Sequence, residues 1–448
     1  KTGTTLDREK KLVHERRLEV PNPPITDLDL GKAAYMITGC THGNEMTGNE
    51  VCLYFIDQVL SGYGTDKEIT DMVNNKVMYV CPAINPDGLY NTVELGATQR
   101  TNSMYQEGKV ERKDLNGDGR WSQVRYKNPK GYYYIDPTDS RVMLRVTAKD
   151  NIPEDQRYSV VWEAQNDKGI DMNRNFPEAW WNTKTLMPAG TGNYATEAPE
   201  VQAICEFMIT HPNIYMVNEY HTQGGHVYRP LGSTDDKGFQ PRDLVVYDKI
   251  LGKKYQELMQ SEDLNSVWRR AWEPDGVYAG LLLDWLYKQC GVLSIATELW
   301  NPRHEIPSLK DLEGVDLQRG IQQYAAGQKI YIDWQKAKHP EYGDVEVGGW
   351  LANVGPNNAY PGDALRTICE RQWQFDRYCI GMMPQMTIEN LSAKVQSSAG
   401  STKIVEITAD IVNNGPLPSG LQKLPELQLP EQDDDFVQLS LLNEESNN

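Results

Sequence analysis

The 448-residue sequence has no apolar run long enough to cross a bilayer, so no membrane span is expected. It lacks a basic surplus: the formal net charge is -18. That argues against a nucleic-acid partner, because neutralising phosphates needs a basic surface. No cysteine pair has zinc-site spacing. The seven cysteines are odd in number, and Cys40, Cys52, Cys81 and Cys205 sit in apolar runs that suit buried free thiols. Only Cys369 and Cys379 invite a disulfide. The residues after Lys1 hold no apolar signal segment, so a secretion signal is expected to have been removed or never to have existed. No internal repeat stands out. What remains is an ordinary globular composition, 39% hydrophobic and 24% charged, long enough for one large domain and a smaller one.

Strand-like and helix-like patterns alternate along the first part of the chain. Apolar runs at 33–40, 77–83, 214–220 and 292–297 read as buried strands. Helical patterns cover 49–60, a stretch opened by Pro199 with Val201, Ile204, Cys205 and Met208 on its inner face, and a closing stretch at 316–337. This alternation predicts an α/β fold, a mixed, mostly parallel sheet sandwiched by helices. Residues 96–170 are polar, rich in Gly and Lys, and read as an insertion with short strands of its own. Inside it, Asp114-Leu115-Asn116-Gly117-Asp118-Gly119 copies half of a calcium loop, but the twelfth position is Arg125 where a bidentate Glu belongs. A tight Asx-type turn is the preferred reading, and calcium is not expected. Past 340, a strand at 343–350, a helix at 361–381 and two alternating strands at 386–395 and 403–412 predict a small β-rich region over 341–424. It has too few strands to close a sandwich and should lean on the first domain, residues 1–340. Residues 425–448, polar and acidic, read as a disordered tail.

Two segments carry metal-binding side chains at strand ends. His42 and Glu45 follow the first apolar run, and His221 closes a later one. Two imidazoles and one carboxylate are a zinc set that leaves a fourth position for water. Zinc makes water a nucleophile at neutral pH, so the pattern points to a hydrolase. His226 is a rival third ligand, placed less well beyond Gly224-Gly225. A hydrolytic metal needs a base. Glu298 follows directly on a buried strand, where an idle carboxylate would be costly; pairing with Arg303 is the bland alternative. Asp171-Met172-Asn173-Arg174 gathers an acid, an amide and a guanidinium on one turn. Arg174 suits a bidentate grip on a carboxylate, and Asp171 could fix the tautomer of a ligand histidine.

These elements, His42-Gly43-Asn44-Glu45, Asn85-Pro86-Asp87-Gly88, Asp171-Met172-Asn173-Arg174-Asn175-Phe176, His221 and Thr297-Glu298-Leu299, resemble the M14 zinc carboxypeptidase family in kind and in order. The ligand set is that of carboxypeptidase A. The insertion resembles bacterial members more than the pancreatic enzymes. The resemblance implies one Zn2+ held by His42, Glu45 and His221, and Glu298 as general base. It implies Arg100 as donor to the developing oxyanion, Asn173 and Arg174 on the substrate's terminal carboxylate, and Asp171 behind a ligand histidine. Tyr278 matches the family's mobile tyrosine. Leu283 and Gly232 match pocket positions, where an apolar residue implies preference for hydrophobic C-terminal side chains. Thr222-Gln223 departs from the pancreatic Ser-Tyr, so the neighbouring subsite should differ. The implied partners are peptide or protein C-termini, and the implied location is extracellular or periplasmic. Two other readings remain open: an amidohydrolase of the same fold acting on N-acyl amino acids or murein stem peptides, and a non-catalytic binding protein. Nothing in the sequence fixes the oligomeric state.

Overall fold

The computed structural model describes residues 32–421, apart from 107–112, 149, 165–167, 182–189, 272–277 and 400–401. The tail expected at 425–448 lies outside them.

A first six-stranded sheet has the order β2-β1-β7-β10-β8-β9. Its strands are β1 (Ala34–Thr38), β2 (Val77–Cys81), β7 (Ile214–His221), β8 (His226–Arg229), β9 (Trp268–Arg270) and β10 (Leu293–Glu298). The four strands β2, β1, β7 and β10 run parallel, and β8 turns back antiparallel against β10. Side-chain alternation explains why this sheet is covered twice. Tyr35 and Ile37 of β1 join a core with Val51, Cys52 and Phe55 of helix α1 (Thr47–Gly62). Ala34 and Met36 face the other way, onto a core with Val201, Ile204, Cys205 and Met208. Those four lie on helix α4 (Pro199–Thr210), the third helix, α3, being Pro86–Leu95 and the second, α2, Lys67–Asn75. Helix α5 (Leu282–Lys288) packs on this second face as well. Helices thus cover both faces of a mixed sheet, as the alternating pattern predicts.

A second six-stranded sheet, order β11-β12-β3-β6-β4-β5, is antiparallel throughout. The insertion supplies β3 (Gln123–Lys127), β4 (Tyr133–Ile135), β5 (Met143–Arg145) and β6 (Arg157–Trp162). The chain's later part supplies β11 (Tyr331–His339) and β12 (Gly343–Trp350). This corrects the closing helix. Helix α6 covers only Gly314–Gly327; Lys329 then takes a left-handed conformation (φ 59°), and the apolar residues from Tyr331 onward serve a strand.

The packing also runs across residue 340. Helix α7 (Asp363–Met382) sets Ile368, Trp373 and Phe375 into the same core as Tyr35 and Phe55. Cys369 and Cys379 both lie on α7 and are free thiols. Ten helical positions separate their backbones by about 15 Å, far beyond disulfide reach. Only the ribbon β13 (Met386–Ala399) and β14 (Thr402–Asn413) forms a sheet of its own.

Candidate active site

The ends of β1, β7 and β10 meet at one cavity of about 230 Å3. Parallel register sets Glu298 directly beside His221, and Glu219 beside Thr38. The loop after β1 brings His42 and Glu45 to the same place. It is held there by close backbone approach: a Cβ on Gly43 would lie 2.2 Å from the Gly88 carbonyl carbon, so neither neighbour has room to spare. Asn85 caps α3 by accepting from the Gly88 N–H at 2.8 Å, and its amide donates to the Arg100 and Thr101 carbonyls at 3.1 and 3.0 Å. The Asn85-Pro86-Asp87-Gly88 signature is therefore the bracket that presents Arg100.

His42, Glu45 and His221 are buried, and their ligand atoms lie within 4.8 Å of one another. His42 Nδ1 is 2.9 Å from Glu45 Oε1, and His221 Nδ1 is 2.9 Å from Glu45 Oε2. Each imidazole has a carboxylate behind it: Asp171 Oδ1 lies 3.1 Å from His42 Nε2, and Glu219 Oε1 lies 3.1 Å from His221 Nε2. A carboxylate on the outer nitrogen holds that N–H and leaves the inner nitrogen's lone pair for a cation, so this donor set fits zinc. His226 lies on β8 across from Glu298, outside the cluster.

The charges respond to burial and to each other. Burial would raise the Glu45 carboxyl, but His42 and His221 outweigh it and hold the group far below the usual carboxylate range. Burial works against Asp171 too, and His42 and Arg100 overcome it. Glu298 goes the other way. Burial, then the neighbouring Glu45 charge, lifts its carboxyl to about 7. Its side chain lines the cavity while Oε2 is buried and accepts no hydrogen bond from the described residues. A carboxyl that titrates near neutrality beside a cation site can take up and return protons.

Arg100 donates Nε–H to Asp171 Oδ2 and an Nη1–H to Glu45 Oε1, both at 3.0 Å, while edging the cavity. Arg174 lines the cavity with its Nε unpaired among the described residues, its guanidinium carbon 5.3 Å from the Tyr278 ring centre. Asn173 lines it as well, but its amide is committed. Nδ2 donates toward Glu219 Oε2 at 3.5 Å, and Oδ1 accepts from the Leu282 N–H at 3.0 Å. Leu283 stands with Ala271, Leu281 and Ala296 in an apolar wall joined by Tyr228. Gly232 is nearby; its N–H donates to Asp284, which lies fully buried under that wall. The alternative Glu298–Arg303 pair does not form, Arg303 facing Glu313. In the insertion, Asp114 accepts N–H bonds from Gly117, Asp118 and Gly119, which closes the turn, and Arg125 pairs with Glu346.

Sequence reasoning missed Glu219, Thr41 and Asn358. Thr41 donates to Glu219 at 2.8 Å. Asn358 accepts from the Thr47 N–H at 3.1 Å and donates to the Asn44 carbonyl at 2.9 Å, clamping the ligand loop from far along the chain. A signal existed for Glu219, an acid inside a largely apolar strand. None existed for Asn358.

A family model described as zinc carboxypeptidase matches residues 18–313. Among curated proteins, human carboxypeptidase D is 38% identical over 64 residues, 14% of this chain and 5% of that protein. Mouse carboxypeptidase M is 23% identical over 177 residues, 40% of this chain and 24% of that protein. The chain therefore matches only a minor part of either relative's length. Among solved structures, bovine thrombin-activatable fibrinolysis inhibitor in complex with tick carboxypeptidase inhibitor aligns with 13% identity and a TM-score of 0.43, over 85% of this chain and 96% of that one.

Proposed function

Because the chain belongs to the zinc carboxypeptidase family, we propose that it is a metallocarboxypeptidase that removes C-terminal residues, preferring apolar ones. One observation carries the reading. A single cavity combines the His42–Glu45–His221 cluster, the near-neutral Glu298 carboxyl, and the unpaired Arg174 Nε beside an apolar wall.

A zinc ion on His42, Glu45 and His221 would supply a Lewis acid that polarises a carbonyl and acidifies water. The chain's own groups do the rest. Arg174 grips the terminal carboxylate of the substrate, a task for which a guanidinium fork is suited. Its position selects a free C-terminus and sets the last peptide bond against Glu298. Asn173, with both amide atoms engaged inside the protein, braces Arg174 through its carbonyl, which accepts from Arg174 Nη1 at 2.6 Å. This differs from a direct role on the substrate. The last side chain enters the wall of Leu283, Leu281, Ala271 and Ala296, whose apolar surface suits an apolar side chain. Glu298 takes a proton from the attacking water and delivers it to the leaving amine as the C–N bond breaks. Arg100 is placed to donate to oxygen that gains charge as water adds to the carbonyl, a contribution of about 3 kcal/mol for one such donor. Tyr278 covers Arg174 at the cavity rim.

The test is a panel of peptides with free or amidated C-termini and of N-acyl amino acids, digested with and without a zinc chelator and read by mass spectrometry. Stepwise loss of apolar residues from free ends, abolished by the chelator, is the expected result. Equal cleavage of amidated peptides would turn the reading toward an amidohydrolase, and no turnover of any substrate toward a binding protein.

A further inference from the structure

Each candidate ligand histidine leans on a carboxylate, but the two carboxylates differ in company. Asp171 shares its charge with Arg100, 3.0 Å from its other oxygen. Glu219 has no such arrangement: its ion-pair contact among the described residues is His221. It is 1% exposed. A buried carboxylate without partners is expensive, and its partners all belong to the site. Oε1 accepts from the Thr41 hydroxyl at 2.8 Å and lies 3.1 Å from His221 Nε2; Oε2 lies 3.5 Å from the Asn173 amide. Positions 219 and 221 share a face of β7, so strand geometry alone sets both side chains on the same side of the sheet. Thr41 immediately precedes His42. Glu219 therefore ties the end of β1, the end of β7 and the Asn173–Arg174 turn to one charge.

We propose that Glu219 is a positioning residue for the metal: it holds the His221 Nε2–H, fixes that ring's tautomer and orientation, and strengthens His221 as a ligand through Nδ1. The inference rests on the reading of His42, Glu45 and His221 as zinc ligands. Supporting carboxylates of this kind govern affinity as well as orientation, and their loss costs about 10–100-fold in metal binding.

The experiment measures the zinc dissociation constant by competition with a chromophoric chelator, on the full chain, for wild type, E219Q, T41V and Y215F. Tyr215 lies at the end of β7 away from His221, where its hydroxyl donates to the Pro418 carbonyl at 2.9 Å, so Y215F controls for general loosening of β7. E219Q should bind zinc about 10–100-fold more weakly, T41V a few-fold more weakly, and Y215F like wild type. The cobalt-loaded protein adds a spectroscopic readout: the visible bands should shift in E219Q and stay put in Y215F. Wild-type zinc affinity in a folded E219Q would overturn the role of Glu219 while leaving the metal site intact. Failure of wild type to bind zinc would overturn the metal site itself. If E219Q does not fold, T41V decides, and an unchanged affinity there overturns the inference.

Discussion

Replacing Glu298 with glutamine should make the protein a poorer catalyst and, without metal, a more stable fold. The carboxyl moves from an ordinary 4.5 to about 7 on folding, through burial first and the Glu45 charge second. Below about pH 4.5 it is protonated in both folded and unfolded chains, and glutamine is nearly equivalent. Above 7 it is ionised in both, and the folded state carries the whole penalty, about 3 kcal/mol at 1.36 kcal/mol per pH unit. Stability of the wild type therefore falls as pH rises through this window, and E298Q escapes the fall. Urea unfolding of the metal-free proteins should show an advantage for E298Q of about 1 kcal/mol near pH 5 and about 3 kcal/mol near pH 8. Adding zinc should shrink that advantage, since a dication beside the carboxylate favours the ionised wild type. Zinc content should not change, because Glu298 is outside the ligand cluster. Turnover should drop by about 10²–10⁴, the worth of a positioned general base. A variant with wild-type kcat, or one whose stability gain ignores pH, would refute the assignment of Glu298 as the buried proton acceptor.

Two further outcomes follow from buried groups. Leu283→Asp puts a carboxylate into a wall otherwise made by Ala271, Leu281, Ala296 and Tyr228; the kcat/KM ratio of Arg-ended over Phe-ended peptides should rise by about 100-fold or more, and an unchanged ratio would sink the pocket assignment. Asp376 is fully buried under the hydroxyls of Tyr35 and Tyr220, and burial lifts its carboxyl from 3.8 to about 6. As a raised acid it weakens the fold as pH climbs, so Asp376→Asn should gain about 2 kcal/mol over wild type between about pH 4 and 7; parallel pH profiles in chemical unfolding would contradict this.

The sequence made legible what is local. His42-x-x-Glu45 is one turn of chain, the strand runs carry a strong period, and Asn85-Pro86-Asp87-Gly88 and Asp171–Asn175 are contiguous turns. Each can be read where it stands. What sequence reading missed depends on pairings across hundreds of positions. The stretch from Tyr331 reads as helix because its apolar spacing suits either period; pairing with β12, itself seated on the insertion's β3, makes it a strand. For Asn173 the resemblance implies a substrate contact, and only the fold brings Glu219 and the Leu282 N–H to its amide.

The same distance effect changes what the later part of the chain is for. The zinc carboxypeptidase match ends at 313, and residues beyond 340 read as an accessory. Yet Asn358 clamps the loop between Asn44 and Thr47, and Asp376 receives hydrogen bonds from Tyr35 of β1 and Tyr220 and Asn218 of β7. Asn218 in turn accepts from Thr297, the residue before Glu298. The strand that leads into His42 and the strand that ends in His221 thus share one buried acceptor supplied by α7, and the strand that ends in Glu298 joins it through Asn218. A buried polar network of this kind is costly unless every member is satisfied, so its members are set together or not at all. The strand ends that carry His221 and Glu298 are therefore braced from beneath the sheet by a helix that the family match does not include.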